Sequence, residues 1–590
     1  MRFLGRAQIL LAVVVIAAVA LAACGQAATP TPAATTPTPT KPPATATTAA
    51  PTATRAPATV TAAPTTPTTV RATATPVPTA APATPSTAQP KYGGTLRGMF
   101  ISTVNTFDAH SARDGGGWAV TLPMMNYLVQ NYQGGPGIGP DLAESWDISP
   151  DGKVYTFHLV KNAKWHDGKP VTSADVVFSI NRIKSDPSIP AAPFRYVFAP
   201  VTSVEAPDPN TVKITLPAVS ASFVALVGAI GNVVFPQHAI DSITSLNNKP
   251  VGSGPFKFGS LDRNSKAVLV RNADYFKKDA QGRAIPYLDS LEIYVIPNAA
   301  SKIAAFRTSK VDLMDSVTQV GQADFEKIKA DLGDVDSKPL RGGFLYWLFP
   351  NKAPWNDVRI RKAFSLGFDR QDWNKIMNEG QGEPYILLMN PGSKWVVPPT
   401  EVATFPGYRQ PKDQDIAAAK QLLKDAGFDL TKTYPIKVTT YDNQAIAATS
   451  ILLKTLGVQT EVKSQDRATF TNDQRGFNFE ILYDSNAPSI DDPTTVFPGY
   501  YRTGGSTNFG HWSDPALDKM IDDQEATLDT AARLKIVQDI QKKVHTELYW
   551  TVNHGSLFRN WMWRSYIQGW IPGTGAQDGP PYRYETAWIK

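Results

Sequence analysis

Apolar and polar residues alternate in short stretches, and longer amphipathic stretches follow them, from Tyr92 to the end of the chain. Residues 154–160 alternate between the two kinds of side chain, which predicts a strand with one face buried. Thr172 and Asp175 are spaced like a helix N-cap pair, and the apolar residues after them recur at helical spacing. Strands that alternate with amphipathic helices predict a fold of the α/β class.

The C-terminal half of the chain shows the same alternation. Residues 413–426 place apolar side chains on one helical face and stop at Gly427, a residue type that often follows a helix. Residues 434–441 are typical of a strand. Ser513 is the predicted cap of one helix, and Asp529 opens a longer one. The whole folded part is therefore predicted to be mixed α/β.

An apolar run at residues 9–23 follows Arg2 and Arg6, which is the layout of a signal peptide. The run is shorter than the ~20 residues that span a hydrocarbon core. It ends in Leu-Ala-Ala-Cys-Gly, which resembles the bacterial lipoprotein box, and Cys24 is the only cysteine of the chain. We therefore predict a signal peptide at residues 1–23, lipidation of Cys24 and a location on the outer face of the cytoplasmic membrane.

Residues 26–90 consist almost entirely of Pro, Thr and Ala. This composition buries too little apolar surface to offset the entropy of ordering, so residues 24–90 are predicted to form a disordered stalk. Most of the net charge of +6 belongs to the first 90 residues, because the rest of the chain carries 53 basic and 52 acidic side chains. The folded part therefore lacks the charge excess of a nucleic-acid-binding protein.

Sequence motifs for metal or cofactor binding are absent. The 7 histidines are scattered, without the pair at helical spacing that presents two zinc ligands. No dinucleotide-binding, P-loop or nucleophile-elbow motif occurs, and residues 165–168 are typical of a turn. Lipidation of the one cysteine leaves no thiol for catalysis or for a metal cluster. We predict a protein with no metal, no cofactor and no catalytic residue.

Asp484, Asp491 and Asp492 form the main acidic cluster, beside Tyr483 and two prolines. Two carboxylates that face each other in a cleft are the catalytic pair of glycosidases. A solvated acidic loop is the plain alternative. Since one sequence does not give the separation of the carboxylates, both interpretations stay open from the residues alone.

Several segments occur in the order known from one protein family, and residues 165–179 are the most specific of them. The segments are Gly-Gly-Thr-Leu-Arg at 93–97, Pro-Asp-Leu-Ala-Glu-Ser-Trp at 140–146, Trp-His-Asp-Gly-Lys-Pro-Val-Thr-Ser-Ala-Asp-Val-Val-Phe-Ser at 165–179, Val-Gly-Ser-Gly-Pro-Phe at 251–256 and Asp-Val-Arg-Ile-Arg-Lys-Ala-Phe-Ser-Leu at 357–366. With them, residues 91–590 resemble the family 5 extracellular solute-binding proteins, which include the oligopeptide-, dipeptide- and nickel-binding receptors of ABC importers.

The resemblance implies a type II periplasmic-binding-protein fold, with two α/β lobes, a hinge and an extra subdomain on lobe one. By analogy, lobe one comprises residues 91–340 and 546–590, its subdomain lies near 128–250, and lobe two comprises 341–545. Such lobes close around a ligand, and a membrane permease recognises the closed form. The resemblance therefore implies a monomeric receptor that delivers a peptide or similar small polar solute to the permease of an ABC importer.

Peptide receptors of this family hold the α-amino group of the ligand with a second-lobe aspartate that precedes a proline. Asp492 fits that pattern best, and Asp491 and Asp484 are the alternatives. The loop that begins at Asn105 is expected to supply the first-lobe side. Solute pockets are mostly apolar, and for each aromatic candidate plain core packing is the alternative. These aromatic candidates are Tyr483, Trp347, Trp395, Tyr441 and Trp512.

The ligand class stays open, because the same fold also binds oligosaccharides, opines, haem and nickel chelates. Two further protein classes remain as alternatives. One is an extracytoplasmic hydrolase that uses the acidic cluster. The other is a surface adhesion protein or chaperone that keeps the fold without transport.

Overall fold

The computed structural model describes residues 89–100, 104, 106–111, 115–131, 138–189, 194–240, 246, 250–314, 322–439, 441–486, 490–570 and 583–590. All of them belong to one unit of the chain, residues 68–590. The predicted signal peptide, the lipidation site Cys24, nearly all of the predicted stalk and Asn105 lie outside the described residues.

The strands are numbered in chain order. They are β1 Thr95–Phe100, β2 Val129–Asn131, β3 Ile138–Pro140, β4 Ala143–Ile148, β5 Val154–Leu159, β6 Ser203–Asp208, β7 Thr211–Thr215, β8 Phe256–Asp262, β9 Lys266–Arg271, β10 Ser290–Val295, β11 Leu313–Met314, β12 Val335–Leu348, β13 Thr433–Val438, β14 Gln459–Ser464, β15 Ile481–Asn486, β16 Thr551–Arg564, β17 Ile567–Gln568 and β18 Trp588–Ile589.

The helices are numbered in the same way. They are α1 Gly115–Thr121, α2 Ser173–Ser185, α3 Arg195–Phe198, α4 Phe223–Val227, α5 Ala299–Arg307, α6 Gln322–Leu332, α7 Val358–Gly367, α8 Arg370–Asn378, α9 Pro399–Val402, α10 Asp413–Asp425, α11 Asp442–Leu456, α12 Arg467–Arg475, α13 Phe497–Tyr500, α14 Pro515–Ala526 and α15 Thr530–Lys543. A π-helical turn, Val544–Leu548, continues α15, and Pro493–Thr495 forms a 3₁₀ turn.

The three larger sheets have different topologies. One has the order β1-β10-β9-β8, with β1 parallel to β10 and the other pairs antiparallel. A second, β4-β5-β7-β6, is antiparallel throughout. The third has the order β11-β16-β12-β15-β13-β14, and only its β15-β13-β14 part is parallel. Parallel strands need helical crossovers, which α11 and α12 provide, so the mixed α/β class predicted from the sequence is confirmed.

Local sequence patterns predicted the first elements correctly. In β5, Tyr155, Phe157 and Leu159 are buried while their neighbours are only partly so. The predicted cap pair is also present, because the Asp175 Oδ2 atom accepts a hydrogen bond from the Thr172 backbone N–H at 2.9 Å. That bond satisfies a donor that the first helical turn leaves without a partner.

The C-terminal predictions hold with two corrections. Helix α10 and the long helix α15, which Asp529 caps, are confirmed. The predicted cap at Ser513 is wrong, because the Asp514 Oδ1 atom accepts from the Leu517 N–H at 2.8 Å and proline follows at the first helical position. Strand β13 ends at Val438, earlier than predicted.

Buried apolar side chains gather into two large clusters that follow the chain in blocks. The first core contains mainly residues between Leu96 and Ile293, and the second contains residues between Phe344 and Val552. Strand β16 contributes to both, because Val552 lies in the second core and Trp561 in the first. The long strands β12 and β16 therefore connect the two cores.

The register between β12 and β16 is irregular where these strands pass from one core to the other. Pairing is interrupted between Arg341 and Phe344 and resumes with Phe344 opposite Ser556. Next to it, Gly555 has φ 137°, a backbone conformation that residues with a side chain rarely adopt. Irregularities of this kind bend a strand, so the paired strands change direction between the cores.

Candidate functional site

The end of the second-core sheet that faces the first core carries polar side chains. Asn486, the last residue of β15, pairs with Phe344 beside the register shift. The carboxyl end of β13 lies at the same edge because β13 and β15 are parallel. Beyond that end, the Tyr441 hydroxyl oxygen accepts from the Ser485 Oγ–H at 2.9 Å. In open α/β sheets, ligands bind at the carboxyl ends of the strands, so this edge is the candidate solute site.

Asp484 occupies this edge and makes no ion pair among the described residues, although the nearby charge of Arg467 acts on its carboxyl. Its carboxylate accepts from the Gln474 Nε2 atom at 3.0 Å and from the Ser485 backbone N–H at 2.8 Å. Burial raises the pKa of the Asp484 carboxyl, and the two hydrogen bonds oppose that shift. Nevertheless the side chain is only half-buried, so solvent still reaches a carboxylate that protein atoms surround.

Two tyrosines stand close to Asp484. Tyr346 lies directly opposite it in the register between β12 and β15. Burial raises the pKa of Tyr500 to about 12, and the charge of Asp484 adds to the shift. The polar carboxylate is thus framed by aromatic rings, which is the usual composition of a solute pocket.

Asp491 lies on a segment that spans both cores. Ile490 is buried in the first core and Val496 in the second. The Asp491 carbonyl oxygen accepts from the Trp395 Nε1–H at 2.9 Å. Burial raises the pKa of the Asp491 carboxyl although the residue is exposed to solvent. Asp491 therefore lies between a residue of the first core and a residue of the second.

Asp492 differs from both, because Arg533 neutralises it. The Arg533 guanidinium donates to Asp492 through Nη1 and Nη2, each at 2.9 Å, and both side chains are almost fully buried. The Asp492 Oδ1 atom also accepts from the Thr494 backbone N–H at 3.0 Å, which caps a 3₁₀ turn. Arg533 lies over the Trp395 ring, 4.9 Å from its centroid. Asp492 therefore has a partner of full opposite charge inside the protein.

The same arginine contacts the other core. Arg533 Nη2 donates to the Ser222 Oγ atom at 2.9 Å, and Ser222 directly precedes α4, whose side chains belong to the first core. Ser222 and Thr494 share a hydrogen bond between their hydroxyls. The backbone N–H of Ala221 donates to the Glu525 carbonyl oxygen at 2.9 Å. These polar contacts hold the two cores together at one place.

The structure places four predicted aromatic residues in the second core, and Trp395 is one of them. Trp347 and Tyr483 have no exposed surface, and Trp512 is 7% exposed. Trp512 stacks on Trp550 with 5.7 Å between ring centroids, and its Nε1–H donates to the Phe349 carbonyl oxygen at 2.8 Å. Such contacts leave no surface for a solute, which gives these three residues a packing role. Trp395 is also buried, whereas Tyr441 remains half-buried at the strand ends.

Trp347 and Tyr483 enclose His554. The His554 ring centroid lies 4.2 Å from that of Trp347, 4.2 Å from that of Phe368 and 5.1 Å from that of Tyr483. Burial holds the pKa of His554 well below its usual range, so the imidazole is neutral. On β15 the side chain of Tyr483 therefore packs inward, and that of the next residue, Asp484, lies on the opposite face of the sheet.

The first-core side of the site is fixed by a buried ion pair. Arg182 donates to the two carboxylate oxygens of Asp108 at 2.9 and 2.8 Å and to the His110 Nδ1 atom at 3.0 Å. Burial lowers the pKa of His110 to about 4, so the ring accepts from Arg182 and donates to the Val233 carbonyl oxygen at 2.8 Å. This network anchors the loop that follows Asn105.

Metal and membrane features were also sought in the part of the chain that the structure describes. No group of three or more His, Cys, Asp or Glu residues there is arranged to hold a metal ion. Within the same described ranges, no helix combines the length and the apolar character needed to cross a bilayer.

Two α/β cores that are joined through paired long strands, with polar strand ends between them, form a two-lobe α/β architecture. The model of the bacterial extracellular solute-binding proteins, family 5 middle, matches residues 137–508. The chain therefore belongs to the family 5 extracellular solute-binding proteins. The periplasmic oligopeptide-binding protein OppA of Salmonella typhimurium is 29% identical to it over 451 residues, which are 72% of this chain and 77% of that protein.

Solved structures agree in fold. The ABC transporter substrate-binding protein CtaP of Listeria monocytogenes has a TM-score of 0.72 at 23% identity and covers 85% of this chain and 100% of its own. DppA from Helicobacter pylori in complex with the peptide STSA has a TM-score of 0.67 at 22% identity, with 85% and 98% covered. The predicted two-lobe type II periplasmic-binding-protein fold is thereby confirmed.

The sequence predicted the acidic cluster but not the residues that give Asp492 a different environment from Asp484 and Asp491. Arg533, Glu525 and Ser222 carry no motif, and Arg533 lies 41 positions from Asp492 and 311 from Ser222. Arg533 is a buried charge on α15, and no other local sequence pattern predicts a role for these residues.

Proposed function

We propose that the chain is an extracytoplasmic receptor that captures a small polar solute with a free amino group, a peptide in the first instance, for an ABC importer. Family membership supports the receptor role, and the relative OppA is named as an oligopeptide-binding protein. One observation carries the amino group: the half-buried Asp484 carboxylate makes no ion pair among the described residues, and Arg467 acts on it only as a nearby charge. Relatives named as binding proteins support a role without catalysis.

An ammonium group suits Asp484 for an electrostatic reason. Burial raises the pKa of this carboxyl, so its ionised form is incompletely stabilised by the protein alone. A bound cation would supply the missing stabilisation through a charge-assisted hydrogen bond, which is about twice as strong as a neutral one. The predicted alternatives Asp491 and Asp492 are less suitable, because Asp491 is more exposed and Arg533 already neutralises Asp492.

Capture requires that two lobes close over the solute. We assign lobe one to residues 91–340 and 546–590, with its subdomain near 128–250, and lobe two to 341–545. The division of buried side chains into two cores supports the boundary near residue 340, whereas Trp550 and Val552 belong to the second core and favour a return to lobe one further along, within β16. The register shift beside Phe344 and the positive φ of Gly555 support a hinge in the paired strands β12 and β16.

The N-terminal prediction completes the proposal. A signal peptide at residues 1–23, a lipid on Cys24 and a stalk at 24–90 would hold a monomeric receptor near its permease and so raise its effective concentration there. In a Cys24→Ala variant, we expect the protein to appear in the soluble extracytoplasmic fraction. Retention in the membrane fraction would contradict the anchor.

The decisive experiment offers the full chain two pools of random tripeptides to hexapeptides, one with free and one with acetylated N-termini. Native mass spectrometry then identifies the complexes. We expect one-to-one complexes with the free-amine pool and binding at least about tenfold weaker with the acetylated pool, as for the loss of a charged hydrogen bond. The recovered peptides should be chemically unchanged.

Three results would contradict parts of the proposal. Equal binding of both pools would remove the amino group as the recognised feature. Cleaved peptides would favour the hydrolase alternative. Binding of neither pool, together with a co-purified sugar or chelate, would move the receptor to another ligand class of the same fold.

A further inference from the structure

A polar cluster of four side chains joins the two lobes. We call Ser222, Thr494, Glu525 and Arg533 the latch cluster. Ser222 is the one member from the first lobe. Its side chain and that of Arg533 are buried, with Ser222 at 0% and Arg533 at 4% exposure. Buried polar groups need partners, and each of these two finds one in the opposite lobe.

The hydrogen bonds of the latch cluster run in one direction. Arg533 has only donor atoms, so its Nη2–H donates to the Ser222 Oγ atom at 2.9 Å. Thr494 donates its hydroxyl proton to the Glu525 Oε1 atom. The Ser222 hydroxyl proton must then point to the Thr494 oxygen. The Ser222 hydroxyl therefore accepts a hydrogen bond from Arg533 and donates one to Thr494, which in turn donates to Glu525. An apolar side chain at position 222 could make neither bond.

Without Ser222, the second-lobe members still satisfy one another. Arg533 keeps both bonds to Asp492 and a bond of 3.0 Å from Nη2 to the Gln524 Oε1 atom. Thr494 keeps its bond to Glu525. The interaction with Ser222 is thus an addition that exists only when the lobes meet, and it is accompanied by the backbone contact between Ala221 and Glu525.

The latch cluster also ends a short segment that starts in the first core. Residues 490–494 connect Ile490, which is buried in the first core, to Thr494 in the latch cluster. Asp491 lies between them, and Asp492 is held by Arg533. Both ends of this segment therefore contact the first lobe, Ile490 through packing and Thr494 through Ser222.

We propose that Ser222 is a positioning residue for lobe closure: its hydroxyl links Arg533 and Thr494 to the first lobe and favours the closed receptor without touching the solute. The inference rests on the proposed receptor function only because capture requires lobe closure. The closure test uses no solute. A negative closure test would therefore leave peptide capture intact, and a failure to bind peptides would leave the closure role of Ser222 intact.

The test measures the distance between the lobes in the full chain without solute. Every sample carries Cys24→Ser, so that spin labels attach only at Glu205→Cys, on an exposed part of β6, and at Lys454→Cys, on α11, whose side chain is 71% exposed. Pulsed electron paramagnetic resonance then gives the ratio of closed to open molecules.

Four substitutions are compared with this parent. Ser222→Ala should lower the closed-to-open ratio about tenfold or more, as for one buried hydrogen bond that involves a charge. Thr494→Val should lower it similarly from the second-lobe side. Ser222→Thr keeps the hydroxyl and should restore most of the parent ratio. Ser220→Ala is the matched control, since no hydrogen bond of its hydroxyl joins the lobes, and it should leave the ratio unchanged.

Several outcomes would overturn the proposal. A parent with no closed population, an unchanged ratio in Ser222→Ala, or an equal shift in Ser220→Ala each contradicts a closure role of Ser222. Failure of Ser222→Thr to exceed Ser222→Ala would show that the hydroxyl is not the active feature. Circular dichroism of each variant separates a shift in closure from a loss of fold.

Discussion

Two acidic positions of the second lobe, Asp492 and Asp484, differ in burial and above all in their partners. Asp492 is buried and held by two bonds of Arg533, whereas Asp484 is half-buried and receives only neutral donors. A paired carboxylate inside a protein is part of its structure, because breaking the pair leaves an isolated charge. An incompletely stabilised carboxylate at a cleft is available to a ligand. Charge compensation, and not residue type or sequence context, therefore separates the structural acid from the candidate binding acid.

The largest expected effect concerns the paired acid. Arg533→Met leaves the buried Asp492 without a counter-charge, so the free energy of unfolding should fall by about 3–5 kcal/mol. Urea unfolding followed by tryptophan fluorescence measures it. The matched control is Arg182→Met in the first lobe, which breaks the equally buried pair with Asp108 and should cost a similar amount without altering closure. A loss below about 1 kcal/mol for Arg533→Met would remove the contrast between the two acids.

The next effect concerns the unpaired acid. Asp484→Asn keeps the shape of the side chain but removes its charge, so affinity for free-amine peptides should fall about tenfold or more. Isothermal titration calorimetry with the peptides recovered from the free-amine pool measures the change. Asp491→Asn is the matched comparison and should have a smaller effect, because Asp491 is more exposed. If Asp491→Asn had the larger effect, the amine site would move to that residue.

Acidification should reproduce the loss of charge. Burial raises the pKa of Asp484 in the solute-free protein, so its carboxylate takes up a proton earlier than a solvated aspartate as the pH falls. A neutral carboxyl no longer attracts an ammonium group, and peptide affinity should decrease through that raised pKa. In Asp484→Asn this part of the pH dependence should vanish. A variant with the same pH profile as the unmodified protein would exclude Asp484 as the titrating group.

Asp484→Asn should have a smaller effect on stability than on affinity. The variant should gain stability, whereas it should lose peptide affinity. A carboxyl whose pKa is raised by folding stabilises the native state at low pH and loses that contribution as the pH rises through the raised pKa. Asp484→Asn should therefore raise the free energy of unfolding at neutral pH by about 0.5–2 kcal/mol, with less gain at acidic pH. Urea titrations at several pH values measure the difference. Destabilisation at neutral pH would show that Asp484 is a structural acid like Asp492.

The smallest effect is expected next to Asp484 on the same strand. The Tyr483 hydroxyl has no well-formed hydrogen bond among the described residues, and only the Trp373 side chain interacts with it, so Tyr483→Phe removes a polar atom that gains little from burial. Stability should change by less than about 0.5 kcal/mol, and peptide affinity should not change. Calorimetry on the same peptides checks both quantities against Asp484→Asn. A clear loss of affinity would return Tyr483 to the list of binding residues.

Much of the local structure could be predicted from the sequence. Alternation in β5, the Thr172 cap pair and the helical spacing in α10 and α15 depend on neighbours within a few positions, and all four were predicted. The cap at Ser513 was missed by one residue, because adjacent Ser and Asp both satisfy the capping rule. The family, too, could be identified from ordered short segments.

The sequence by itself thus determined the α/β elements, the family and the acidic cluster. Only the tertiary structure decided which acid is neutralised, because the partner Arg533 is 41 positions from Asp492. It also decided that Trp347 and Tyr483 pack inward while Asp484 lies on the other face of β15. A central strand between helices carries apolar side chains on both faces. The sequence periodicity of such a strand therefore does not predict which face of the sheet a given side chain lies on. Charge pairing and strand facing depend on long-range contacts, which a linear sequence does not contain.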